Sequence, residues 1–291
     1  MKPAPFQYHD PHSLDEALGL FAQHEDARAL AGGQSLMPMM NFRFVQPQHL
    51  VDLNGVSELE GLSLSAETAS FGAMTRQRSI ERSAEAARRM PIFQLALAQV
   101  GHRQTRARGT IGGSLCHFDP SAELCNLAAL HDAQLHIASK DRRRQLEFAS
   151  FGAGYLSTAI EPGEVLTRID MRVWPKAHGY AFEEFAMRHG DFAVCAVSCL
   201  AALNDAGAIS DIAIAISGVE PAPVRLREVE RQLIGQKPGP AAFRLAAEKA
   251  GALDAMFDAY ISAAYRKHLA RILTWRALQK ALLPAAMETA A

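Results

Sequence analysis

The sequence predicts an α+β protein of two units, and three observations carry that reading. The chain has 291 residues, the size of one large domain or two ordinary ones. Its 49% hydrophobic and 21% charged residues are the mixture of a folded chain rather than a disordered one. Beyond Trp174-Pro175-Lys176 three long strand-like runs come first and helices follow, the order of a separate α+β module. A boundary near residue 175 follows, giving units 1–175 and 176–291. No internal repeat or low-complexity linker interrupts either.

The elements read in order as follows. Ser13 N-caps a helix to Gln23, with Glu16 as capping-box partner and Leu14, Ala17, Leu18 and Phe21 on one face. Ala27–Ala31 and His49–Leu53 are strand-like. Ala69–Ala73 is another strand, with Ser63-Leu64-Ser65 as its hairpin partner. A helix starts near Ser79, and a strongly apolar one runs from Ile92 to Val100, ending at Gly101. Gln134–Ala138 and Arg144–Phe148 form a strand pair, with Asp141-Arg142-Arg143-Arg144 as its charged turn. Val165–Val173 alternates with period two, as a half-buried strand does. In the second unit Tyr180–Met187, Ala193–Asn204 and Ile209–Val219 are strands, and Ala241–Ala250 and Ala259–Leu283 are helices.

Thirty Lys and Arg against 31 Asp and Glu leave a net charge of −1, which argues against gripping nucleic acid by bulk charge. There is no apolar run of about 18 residues to span a membrane. The start, Met1-Lys2-Pro3-Ala4-Pro5, has no signal-peptide core. A cytoplasmic location is the expectation. Cys116, Cys125, Cys195 and Cys199 form no CxxC and fit no zinc or iron–sulfur spacing, so they read as buried or half-buried free thiols.

Two glycine runs carry the chemistry. Ala31-Gly32-Gly33-Gln34-Ser35-Leu36 directly follows a strand, and Arg108-Gly109-Thr110-Ile111-Gly112-Gly113-Ser114-Leu115 is the second. Paired glycines let backbone N–H groups approach an anion without a Cβ clash, and neighbouring hydroxyls add donors. Two such loops could grip the two phosphates of a dinucleotide; two tight turns are the alternative. Neither is a GxGxxG fingerprint or a P-loop. Cys116-His117-Phe118-Asp119-Pro120-Ser121-Ala122-Glu123 gathers His, Asp and Glu, but Pro120 breaks the run and the spacing fits no metal motif. Asp119 reads as a turn or cap, and Glu123 as a helix opener or a ribose acceptor. His102–Arg108 is a basic stretch for phosphates, a partner or solvent. Met37, Met39 and Met40 read as packing, and Tyr180, Phe182, Phe185 and Phe192 as core aromatics, one of which could face a flavin. No nucleophile–base triad or GxSxG occurs.

At these loops the sequence resembles the medium, FAD-binding subunit of the molybdenum hydroxylases, the carbon monoxide dehydrogenase and xanthine dehydrogenase family. The matching stretches are Ala31–Met40, Gly72-Ala73-Met74-Thr75, Arg108–Leu115 with Asp119–Glu123, Gly163–Thr167, Arg188–Ala193 and Tyr265–Leu269. The resemblance implies a flavin domain of the vanillyl-alcohol-oxidase (PCMH) type, with subdomains of about 1–55 and 56–175. It also implies a C-terminal domain with a three-stranded antiparallel sheet. It implies FAD in this chain. The [2Fe-2S] clusters would lie in a small iron–sulfur subunit and molybdopterin in a large subunit, the whole a dimer of heterotrimers. Electrons would pass from the clusters through this chain to an external acceptor.

Carried over by position, Ala31, Gly32, Gly33, Gln34, Ser35 and Leu36 would bind the pyrophosphate together with Thr110, Ile111, Gly112, Gly113 and Ser114. Gly101 would pack near the cofactor, Glu123 would meet the adenosine ribose, and Leu166 would offer a backbone contact. The basic stretch with Arg103, Arg106 and Arg108 would contact the iron–sulfur subunit or serve the cofactor. Cys116-His117 stands where some relatives have Asn-Asn, and resembles the subgroup acting on N-heterocycles and other aromatics. Glu183-Glu184 stands where some relatives carry a Lys. The resemblance implies no catalytic residue and no metal ligand in this chain. A stand-alone FAD oxidoreductase of the same fold, or an interaction protein that has lost flavin, are the competing readings.

Overall fold

The structure, a computed structural model, describes residues 1–288. The first fifty residues alternate strand and helix: β1 (Gln7–His9), α1 (Leu14–Gln23), β2 (Ala27–Leu30), α2 (Leu36–Asn41) and β3 (His49–Asp52). The strands form a parallel sheet in the order β1-β3-β2. Parallel strands need crossovers, and α1 and α2 supply them. The Ser13 hydroxyl accepts from the Glu16 N–H, while the Glu16 carboxylate reaches back to the N–H of His12. The box therefore closes one residue earlier than expected. Ala17, Leu18 and Phe21 bury against Val51, Leu53, Leu59 and Met74.

A second sheet follows. The hairpin β4 (Leu62–Leu64) and β5 (Thr68–Gly72) leads into six helices: α3 (Gln77–Arg82), α4 (Ala84–Arg89), α5 (Ile92–Gln99), α6 (Arg103–Arg108), α7 (Ile111–His117) and α8 (Glu123–Leu130). The chain then returns through β6 (Gln134–Ala138), β7 (Arg143–Glu147), the small hairpin β8 (Gly152–Gly154) and β9 (Ser157–Thr158), and β10 (Val165–Arg172). The five-stranded antiparallel sheet has the order β4-β5-β10-β6-β7, so β10 zips together the strands on either side of the helical insertion.

Beyond it lie β11 (Gly179–Ala186), β12 (Ala193–Leu203), β13 (Ile209–Ser217), β14 (Val224–Arg225), α9 (Arg227–Leu233), α10 (Pro240–Ala250) and α11 (Ala263–Glu288). The sheet is antiparallel in the order β11-β12-β13-β14, so a short fourth strand joins the three expected. Residues Ala193 to Ala201 of β12 are all buried, because α8 covers one face and α11, backed by α10, covers the other.

Helix α8 is buried along its whole length. Its polar groups are answered by the third sheet. The Asn126 amide donates to Ser217 Oγ at 3.1 Å and its carbonyl accepts from Ser198. Arg225 donates to the Ala129 and Leu130 carbonyls at 2.9 and 2.8 Å, where a cation suits the helix C-terminus. Buried polar groups with full partners fix one arrangement.

The short helices α2, α6, α7 and α9 and the strands β1, β8, β9 and β14 escape the periodicity reading, because two to seven residues give too few repeats to register. Three local expectations change. Arg143 and Arg144 both lie in β7 rather than in the turn, so the strand starts one residue earlier than expected, and Arg144 pairs with Glu164 at 2.6 Å. Cys116 is exposed, while the other three cysteines are buried. Phe182 is in the core, but Tyr180 and Phe192 are exposed, the latter by 64%. No helix among the described residues is long and apolar enough to cross a membrane.

Candidate functional site

The first glycine run is the turn from β2 into α2. Gly33 sits at φ 71°, a left-handed conformation that favours glycine. The backbone N–H groups of Gly32, Gly33, Gln34 and Ser35 have no hydrogen-bond partner among the described residues. The Gln34 side chain donates back to the Gly32 carbonyl at 3.1 Å. Consecutive free N–H groups in a glycine turn form a nest for an anion.

The second run is not a loop but the start of α7. Thr110 is its N-cap, with Oγ accepting from the Gly113 N–H at 2.9 Å. The N–H groups of Ile111, Gly112 and Ser114 go to the carbonyls of Thr75, Ala73 and Thr110 at 3.0, 2.8 and 3.2 Å. Its glycines serve close approach instead: a Cβ on Gly112 would lie 2.6 Å from Ala73.

The two runs abut. A Cβ on Gly32 would fall inside the Arg108 carbonyl and 2.8 Å from the Gly109 Cα, and one on Gly113 would lie 3.4 Å from that of Ala31. A polar tie reinforces the contact. Asn54 donates to the Ala31 carbonyl at 3.1 Å, and Arg76 bonds both the Asn54 side chain and the Arg108 carbonyl. Asp52 holds the Asn54 amide and accepts from Tyr8 Oη at 2.6 Å. Sequence reading missed Asn54, Arg76 and Asp52. The only available signal was that Arg76 immediately follows the Gly72–Thr75 stretch.

Gly101 ends α5 at φ 44°. Beside it, Arg106 is buried and bidentate to Glu81 at 3.0 and 3.2 Å, and it donates to the Val100 carbonyl at 2.8 Å. Burial alone would raise the Glu81 carboxyl, but Arg106 and Arg78 outweigh it and hold it below the ordinary value. Arg106 is thus taken by the fold, because an arginine this buried needs a carboxylate. It is not open to a partner, whereas Arg103 and Arg108 are exposed.

Glu123 opens α8 and is buried. Burial, then the Glu184 charge, pushes its carboxyl up to about 8. Burial raises Glu184 to about 7 and also raises Asp119. The buried Glu184 Oε2 has no hydrogen-bond partner among the described residues. Glu183 instead meets Lys280 of α11 at 2.5 Å. The side chain of Leu166 lies in the core, and its strand carries a bulge at the next residue, where the Thr167 carbonyl accepts from Ala73 N–H at 3.0 Å. Ala73 in turn receives Gly112, so Leu166 adjoins the second run through the backbone.

A glycine turn with free donors, closed by a second glycine run, suits a phosphate-bearing cofactor. Comparison with known proteins decides which family this is. A family described as FAD binding domain in molybdopterin dehydrogenase matches residues 4–172, and one described as CO dehydrogenase flavoprotein C-terminal domain matches residues 180–281. The chain belongs to the FAD-binding medium subunits of the molybdenum hydroxylases. This medium subunit is 36% identical over 286 residues to caffeine dehydrogenase subunit beta of Pseudomonas sp. strain CBB1, covering 97% of this chain and 96% of the relative. It is 33% identical over 284 residues to the carbon monoxide dehydrogenase medium chain of Hydrogenophaga pseudoflava, covering 97% and 98%. Its fold matches quinoline 2-oxidoreductase from Pseudomonas putida 86 with a TM-score of 0.93 at 36% identity, over 98% and 100% of the two chains. The medium subunit is therefore an oxidoreductase component of a multi-subunit complex, with FAD as its cofactor.

Proposed function

We propose that this medium subunit receives electrons from a small [2Fe-2S] subunit and delivers them to an external acceptor. A large molybdopterin subunit would oxidise the substrate, in a cytoplasmic dimer of heterotrimers. Residues 1–175 form the flavin unit, divided near residue 55, and 176–291 the C-terminal unit. The single observation that carries the reading is the row of four unpaired N–H groups from Gly32 to Ser35, at the place where Gly113 and the Arg108-Gly109 backbone close against it. A pyrophosphate supplies the acceptors those donors lack.

The residues fit FAD in three respects. The backbone from Ala31 to Leu36 offers donors for the phosphates. In Thr110 to Ser114, Gly113 has no Cβ, which lets this run lie close against Ala31. Glu123 and Glu184 bring acceptors for hydroxyl groups, and the buried Glu184 Oε2 lacks a hydrogen-bond partner among the described residues. Gly101 and the Leu166 backbone would complete the cofactor's surroundings. When bound, FAD supplies chemistry that links one-electron carriers to two-electron acceptors. The chain itself contributes binding and orientation: Asn54 and Arg76 hold the two runs in register, and Arg106 fixes the Gly101 turn.

Expression with the genes beside it tests the reading. The expected result is a yellow complex with iron–sulfur and molybdopterin chains, in which substrate bleaches the flavin band. Charge reversal at the exposed Arg103 should keep the flavin and weaken the hold on the iron–sulfur chain. A chain that purifies alone and reduces its flavin directly with substrate would overturn the proposal.

A further inference from the structure

Three histidines outside the flavin site converge at one edge of the parallel sheet. His9 ends β1, His49 begins β3, and His24 is the C-cap of α1, just before β2. Each offers one ligand atom, and these atoms all lie within 4.8 Å of one another. The rings are in contact: His24 and His49 stack with centroids 3.7 Å apart, and His9 lies 5.2 Å from both. His9 Nε2 and His49 Nδ1 are 3.0 Å apart, so one carries a proton and the other presents its lone pair. All three are half-exposed, which leaves solvent access for a further ligand.

We propose that His9, His24 and His49 form a site for a borderline divalent transition metal such as Zn²⁺, Ni²⁺ or Cu²⁺. Imidazole nitrogen suits these ions, whereas Mg²⁺ and Ca²⁺ require oxygen. A tetrahedral zinc with bonds of about 2.0–2.1 Å separates its nitrogens by about 3.3 Å. Donors already within 4.8 Å reach that spacing by turning the rings, without a shift of the sheet. Water completes the coordination, so the ion carries its charge into solvent rather than into the core.

The position gives the ion a structural consequence. β1 has three residues and pairs only with β3. A clip through His9, His49 and His24 joins that strand to the α1–β2 turn. β2 then runs directly into Gly32–Ser35, so the ion stiffens the subdomain that carries the first glycine run. Binding to the folded form alone raises stability by mass action.

The test uses the full chain stripped with a chelator. Titration calorimetry with Zn²⁺ should give one site per chain, Co²⁺ should develop the visible bands of a four-coordinate ion, and excess Mg²⁺ should not compete. Zn²⁺ should also raise the melting temperature. His24→Gln and His9→Gln should each weaken binding by at least the about 10–100-fold that loss of an outer-shell partner costs, and abolish the thermal shift. The exposed His268→Gln control should change neither, and flavin content should be equal in all variants. Should one variant fail to fold, the other still tests the site. Absence of saturable binding, or binding that survives both variants unchanged, would overturn the proposal.

Discussion

Ala31-Gly32-Gly33-Gln34-Ser35-Leu36 and Ile111-Gly112-Gly113-Ser114-Leu115 share paired glycines, a serine and a leucine. Among the described residues the first leaves the N–H groups of Gly32, Gly33, Gln34 and Ser35 unpaired, while the second commits those of Ile111 to Ser114 to Thr75, Ala73 and Thr110. The context causes the difference. The first run leaves a strand through a left-handed Gly33 and reaches α2 only at Leu36. The second enters α7 at once through a capping threonine. The same glycine pattern thus provides free donors in one place and close backbone approach in the other. The first run is therefore the one with donors to spare for an anion, and the second is the one that packs against it.

Substitutions can break this division, and the largest effect should come where the runs touch. Gly32→Val places a branched side chain against the Arg108 and Gly109 backbone, which cannot swing aside. Overpacking of this kind should cost about 3 kcal/mol of stability and leave the purified chain colourless. Denaturant unfolding and the visible spectrum read the two effects. Arg76→Leu comes next. It removes the tie from Asn54 to the Arg108 carbonyl but no part of either run. A hydrogen bond from a charged donor is worth about 1.5–3 kcal/mol, so flavin should dissociate about tenfold or more faster while the melting temperature moves less.

The acidic groups sharpen the comparison through pH. Glu123 has a folded value of about 8 against an ordinary carboxyl value of 4.5, so between them the folded chain holds a proton that the unfolded chain has lost. Stability of the flavin-free chain should therefore fall as pH rises from about 5 to 8, with Glu184, at about 7, adding to the decline. Glu123→Gln should reduce the fall and gain about 1–2 kcal/mol at pH 8, seen as a melting temperature that drops less over that range, the remaining slope belonging to Glu184. The smallest effect belongs to the second run's cap. Thr110→Ala should cost about 1 kcal/mol of stability and change flavin affinity by less than about threefold, because the backbone donors of the first run stay in place.

The long elements were legible because apolar periodicity repeats often enough in them. The Ile92–Gln99 helix and the strands of the C-terminal sheet stand where the pattern puts them. The glycine runs were legible as composition, but not their difference, since nothing local distinguishes a turn from a capped helix of seven residues. Arg106 illustrates the limit. It reads as one of three exposed arginines, yet Glu81, 25 residues earlier, draws it inside. Asn54 and Arg76 were illegible for the same reason: each acts on a backbone carbonyl supplied by a distant segment.

The central claim is that the backbone of the first run holds a pyrophosphate. Affinities of the flavin-free chain for FAD, FMN and riboflavin, measured by quenching of flavin fluorescence, test it directly. FAD should bind at one per chain, more than about tenfold tighter than FMN, with riboflavin weaker still, since each lost phosphate forfeits charge-assisted bonds worth about 1.5–3 kcal/mol. Equal affinity for FMN and FAD, or no binding of any flavin, would contradict it.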